Sequence, residues 1–206
     1  MRPLPRVAGL CLALFFGGLP GSALAAEAAV DAETVNGRID DFHALLIRVM
    51  QTTGHAERVA ALGPVVPGFF DIGTVSRITL GRTWRDLDDA RKREFRDLLV
   101  ALIAATYADR FDSFDGQRFE RLESLAGRRG WVVKTQLVRA NGERVNLDYY
   151  FNAGSVFNVV ADGVSDLSLR RADYNSIIKQ EGYDALIRDI RENIAEMSGD
   201  GQGGIR

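Results

Sequence analysis

Residues 131–162 read WVVKTQLVRANGERVNLDYYFNAGSVFNVVAD, and this stretch decides the fold. Three runs rich in Val, Leu, Tyr and Phe are separated by short breaks, the pattern of strands joined by turns. Asn141-Gly142 is a hairpin signal, because both residues tolerate positive φ. Asn152 to Gly154 makes the second break. In the run Glu143 to Phe151, Val145, Leu147, Tyr149 and Phe151 alternate with Arg144, Asn146 and Asp148. One face of this strand is therefore apolar and the other polar. Upstream, Arg118 to Leu125 is a fourth strand candidate, joined to Trp131–Arg139 through Gly127 to Gly130. Short links imply an antiparallel meander of about four strands, with one face that other elements must cover.

Helical patterns flank the strands. Asp31 to Gln51 places Val35, Ile39, Phe42, Leu46 and Val49 on one stripe. His55 to Leu62 is a short helix stopped by Gly63-Pro64, and Pro67-Gly68 breaks the chain again. Asp71 can cap a helix ending at Leu80, with Gly81 at its C-terminus. Leu87 to Asp109 is the strongest helix, with Phe95, Leu98, Leu99, Leu102, Ile103 and Tyr107 on a wide apolar face. Around Ala101, Ala104 and Ala105 it is apolar nearly all round, so this half is buried on several sides. After the strands, Leu167 to Gln180 and Tyr183 to Met197 are two more helices. The fold class is α+β: an antiparallel sheet covered on one face by helices.

The ends differ from this domain. Arg2 and Arg6 precede a short apolar run, Val7 to Leu19, and Ala23-Leu24-Ala25 is an A-x-A cleavage site. The run is shorter than the roughly 20 residues a membrane span needs, so residues 1–25 read as a secretory signal peptide. Residues 26–197 form the single domain and residues 198–206 a glycine-rich disordered tail. Cys11, the one cysteine, lies inside the signal peptide, so the mature domain has neither disulfides nor thiolate chemistry. Of 26 basic residues Arg2 and Arg6 leave with the peptide, and 24 then face 28 acidic ones, a charge of −4. That excludes a general nucleic-acid binder, which needs a basic excess, and strong attraction to anionic membranes.

Catalytic constellations are scarce. His43 and His55 match no metal spacing and read as surface or helix-packing histidines; no metal site is expected. Asp162-Gly163-Val164-Ser165-Asp166 lacks the second glycine of a nucleophile elbow, and no histidine follows it. It reads as a strand-to-helix turn in which Ser165 or Asp166 caps the helix. The pairs Asp40-Asp41 and Asp88-Asp89 suit helix starts or exposed positions.

Two segments carry a family resemblance. Phe70-Asp71-Ile72, Leu80-Gly81-Arg82-Thr83-Trp84, Phe95-Arg96-Asp97-Leu98-Leu99 and Tyr107 follow one another in the order of the MlaC/toluene-tolerance pattern. Asp162-Gly163-Val164-Ser165, Arg171, Tyr174, Ile177-Ile178, Gly182 and Leu186-Ile187 resemble that family's ending. The region around Gly154 to Val160 lacks the usual tryptophan, and Asp166 to Arg171 also departs, both in the manner of the hopanoid-associated HpnM branch. The resemblance implies a periplasmic carrier without a cofactor. Its cargo would be phospholipid or hopanoid. Its partners would be an inner-membrane ABC transporter complex and an outer-membrane lipoprotein complex.

Such a carrier needs an apolar cavity between its layers. Candidate wall residues are Phe70, Ile72, Leu80, Phe95, Leu99, Ile103 and Tyr107 on the helices, with Val133, Val145, Leu147 and Tyr149 on the sheet. Arg170 and Arg171 are candidates for a headgroup or docking site, since a guanidinium binds phosphate bidentately. A solvated pair with Asp166 or Asp173 is the other reading of these two arginines. Two other functions stay open: a hopanoid-associated accessory or scaffold protein, and a pocket enzyme using Asp148 and Tyr149. Alternation turns Asp148 away from Tyr149, which counts against the enzyme.

Overall fold

A computed structural model describes residues 30–128 and 130–199. The expected signal peptide and residues 200–206 of the expected tail lie outside these residues.

The first helix, α1 (Ala32–Met50), starts where Asp31 caps it: its carboxylate accepts a hydrogen bond from the Thr34 amide at 2.8 Å. The helices α2 (His55–Leu62), α3 (Val66–Phe69), α4 (Ile72–Leu80) and α5 (Thr83–Asp86) follow. The one-turn helices α3 and α5 were not expected from periodicity, because four residues are too few to show a period. Asp71 and Asp88 cap α4 and α6 (Asp89–Arg110) in the manner of Asp31. Leu87 thus precedes the helix that its apolar pattern assigns it to, since Asp88 sets the start.

Among the described residues the sheet is an antiparallel meander of five strands, the expected four and a short fifth: β1 (Arg118–Gly127), β2 (Gly130–Val138), β3 (Arg144–Asn152), β4 (Ser155–Ala161) and β5 (Val164–Ser165). The fifth has two residues and pairs Val160 with Ser165 and Ala161 with Val164; so short a strand leaves no alternation to read. At the β1–β2 turn, a side chain on Gly130 would lie 2.1 Å from the Phe151 carbonyl oxygen, so only glycine fits. The Asn141-Gly142 turn forms as expected, with Gly142 at φ 85°. Two helices follow the sheet, α7 (Asp166–Glu181) and α8 (Tyr183–Met197). Ser165 is the cap of α7, its hydroxyl accepting from the Ser168 amide.

The helices cover one face of the sheet. Val35, Ile39 and Leu46 of α1, Leu62 of α2, Leu80 of α4, Phe95 and Leu99 of α6, and Leu186 and Ile190 of α8 are fully buried. Each such side chain contributes about 1.5–3 kcal/mol of hydrophobic stabilisation. Buried Arg58 completes this layer: its Nε donates to the Ala108 carbonyl at 2.8 Å, and a terminal nitrogen reaches the Thr52 carbonyl. The cation thereby satisfies a carbonyl in the last turn of α6, where the helix dipole favours positive charge. The link before α4 is tied to the sheet, because the Asp71 amide donates to the Val156 carbonyl at 2.8 Å.

Candidate functional site

A cavity of about 390 Å³ opens between α4, α6 and α7 on one side and the sheet on the other. That volume falls within the range of small-molecule pockets, about 300–1,000 Å³. Its sheet wall follows from register. Leu137 pairs with Val145, Leu147 with Ala161 and Tyr149 with Val159, so alternation places all six on the helix side as one patch. Its helical wall comes from Val75 on α4 and from Ile103, Thr106, Tyr107 and Arg110 on α6. The α6 residues are spaced by three and four, which puts them on one face. Phe70 and Phe111 extend this wall. Val164, Leu167 and Leu169 form a lip at the start of α7, and Val164 and Leu169 are each 53% exposed.

Aromatic rings join the two walls in a closed circuit. Phe42 stacks on Phe69 at 4.0 Å, and Tyr107 meets Phe42 edge-on and stacks on Phe111. Phe111 reaches Phe119, which stacks on His43 at 4.0 Å. His43 meets Tyr149, and Tyr149 returns to Phe69. Such pairs add about 0.5–1.5 kcal/mol each beyond area burial. Within this circuit His43 Nε2 lies 3.1 Å from the Tyr149 hydroxyl. Burial lowers the His43 pKa to about 4, against the opposing pull of Asp40. Burial likewise holds the Tyr149 and Tyr107 hydroxyls above their ordinary range. The rings around the cavity are thus uncharged near neutral pH.

Charge is confined to a few positions. Arg110, Arg139, Asp166 and Arg170 border the cavity. Arg139 pairs with Glu143 at 3.0 Å, and Arg170 Nε donates to Asp166 Oδ2 at 2.7 Å. Burial works against the Arg170 charge, but the Asp166 carboxylate overcomes this and holds its pKa above the usual value.

Of the residues singled out from sequence, Phe70, Ile103, Tyr107, Val145, Leu147, Tyr149 and Arg170 line this cavity. Leu80, Phe95, Leu99 and Val133 are fully buried but lie outside its lining. Ile72 packs half-buried against the core. The apolar face of α6 is longer than the cavity: Phe95 meets Tyr174 of α7 edge-on, and Ile103 and Tyr107 further along the helix reach the cavity. Arg171 is exposed, one residue round the helix from Arg170. Sequence reading missed Arg110 and Arg139, although a signal existed. Arg110 stands three residues after Tyr107, and Arg139 continues the alternation of Val133, Thr135 and Leu137.

Among the described residues, no three His, Cys, Asp or Glu side chains group to hold a metal. His55 approaches the Ala105 carbonyl at 3.4 Å, apart from His43. Asp148 faces away from the cavity, near Lys134 and Glu123, and burial raises its pKa. No described helix is long and apolar enough to cross a membrane.

Helices on one face of an antiparallel meander, with an apolar cavity between the layers, define a class of α+β pocket protein. Residues 43–192 match the family described as MlaC protein, and the chain belongs to that family. Its fold is similar to that of a phospholipid-binding protein from Ralstonia solanacearum, solved in complex with a phospholipid. The TM-score is 0.70 at 20% identity, over 82% of this chain and 99% of that one. No curated protein matches the sequence.

Proposed function

We propose that this chain binds a phospholipid, or a hopanoid-type lipid, in the cavity and carries it through the periplasm between the inner and outer membranes. The observation that carries this reading is the cavity itself: uncharged rings and aliphatic side chains inside, charge only at a few bordering positions. Acyl chains gain about 0.8 kcal/mol per buried methylene. About ten buried methylenes therefore supply roughly 8 kcal/mol, the free energy of a micromolar dissociation constant. The chains would lie against Phe70, Ile103, Tyr107, Val145, Leu147 and Tyr149. The headgroup would sit at Arg110, Arg139 and Arg170. Membership of the MlaC family and the likeness to the Ralstonia phospholipid-binding protein support the reading.

No nucleophile, base or metal is needed for this task. Delivery is a matter of partners: the inner-membrane transporter complex and the outer-membrane lipoprotein complex each lower the barrier to release by favouring an opened cavity. Residues 1–25 would direct export and be cleaved, which N-terminal sequencing of periplasmic protein tests. The deciding experiment is organic extraction of the purified protein followed by mass spectrometry. Near-stoichiometric lipid is expected. A lipid-free protein that also takes up no phospholipid or hopanoid would overturn the reading.

A further inference from the structure

The wall of the cavity holds a group that a container for hydrocarbon and phosphate has no use for, a carboxylate. Asp166 opens α7 and Arg170 follows one turn later, so both side chains stand on one face of the helix, and both line the cavity. They are bonded at 2.7 Å, with the Arg170 side chain 15% exposed and that of Asp166 41% exposed. Three other polar groups of the lining already have partners. The Tyr149 hydroxyl meets His43, the Thr106 hydroxyl donates to the Leu102 carbonyl, and Asn158 accepts from Ser165 and from the Leu167 amide.

An anionic headgroup that captured Arg170 would leave Asp166 beside it without its cation, at the cost of like-charge repulsion. A headgroup with both signs exchanges one internal ion pair for two new ones. We propose that Asp166 and Arg170 together select a zwitterionic headgroup, with phosphate on Arg170 and a primary ammonium on Asp166. Arg110, across the cavity on α6, supplies further positive charge for the phosphate. Side chains one turn apart have Cβ atoms about 5–6 Å apart, and an aminoethyl phosphate ester places its two charges only two carbons apart, so one lipid can reach both. The inference rests on the phospholipid reading above and assigns Asp166 the specificity. Were Asp166 only a helix-start acid paired with Arg170, it would have no effect on which lipid is bound.

The test is competition. The full chain is incubated with vesicles of equal parts phosphatidylethanolamine and phosphatidylglycerol, re-isolated and extracted, and both lipids are quantified by mass spectrometry. The wild type is expected to be enriched in phosphatidylethanolamine. Asp166→Asn should lower that ratio about threefold, the scale of a partly exposed ion pair. Asp166→Glu should keep the preference. If Asp166→Asn does not fold, Asp166→Ser, which keeps a hydroxyl at the helix start, takes its place. Equal ratios in wild type and variant at full loading overturn the role of Asp166. No uptake of either lipid by the wild type overturns the carrier reading and this one with it.

Discussion

Leu147→Trp separates a cavity wall from a packed core. Leu147 sits on β3 opposite Ala161, a small neighbour, and both border the cavity of about 390 Å³. An indole at this position projects into open volume and not into side chains. Folding stability should therefore stay within about 0.5 kcal/mol of wild type, as for changes away from packed features. Lipid should suffer instead. If the ring displaces only three methylenes, the loss is about 2.4 kcal/mol at 0.8 kcal/mol each, or roughly fiftyfold in affinity. Leu99→Trp is the control. Leu99 is fully buried and off the lining, so overpacking there should cost typically 1–3 kcal/mol. Denaturant midpoints report stability, and quantitative extraction reports loading. A Leu147→Trp protein that unfolds more easily yet carries wild-type lipid would refute the reasoning and place Leu147 in the core.

Acid should weaken the fold through His43. Its folded pKa of about 4 lies below the unfolded value near 6.5, so the unfolded chain binds the extra proton. Stability is then full above pH 6.5 and falls towards pH 4, by on the order of 3 kcal/mol. His43→Gln should flatten that part of a pH series of denaturant midpoints, and an unchanged slope would exclude His43 as its source. Arg58→Met should cost about 1.5–3 kcal/mol in chemical denaturation, since two hydrogen bonds to a cation are lost. Ser165→Ala should cost about 1 kcal/mol by loss of the α7 cap.

Much of the architecture was legible because it rests on local rules. Asp71 before an apolar period became a cap, and Asn141-Gly142 became a turn. The alternation of Val145, Leu147 and Tyr149 set one face of the sheet. What sequence could not give is what stands opposite an apolar face. Phe95 and Ile103 belong to the same stripe of α6, yet the first meets the Tyr174 ring and the second borders open volume. That difference lies in where the Tyr174 ring of α7 is placed by the tertiary packing, which no periodicity encodes. Charged positions were missed for another reason. Arg110 ends α6 and Arg139 follows β2, positions where solvated charge is ordinary, and only the tertiary arrangement brings both to one rim.

The placement of the aromatic residues also decides what light can report. Both tryptophans lie off the cavity: the Trp131 indole donates to the Val30 carbonyl, and Trp84 sits under Lys92 and Arg96. Two of the five tyrosines, Tyr107 and Tyr149, line it within a circuit of touching aromatic rings. Cargo therefore has a direct optical handle in the tyrosine band of near-ultraviolet circular dichroism, while indole emission looks elsewhere. The Leu147→Trp chain reverses this, since its new indole stands in the wall where a brominated acyl chain would quench it on contact.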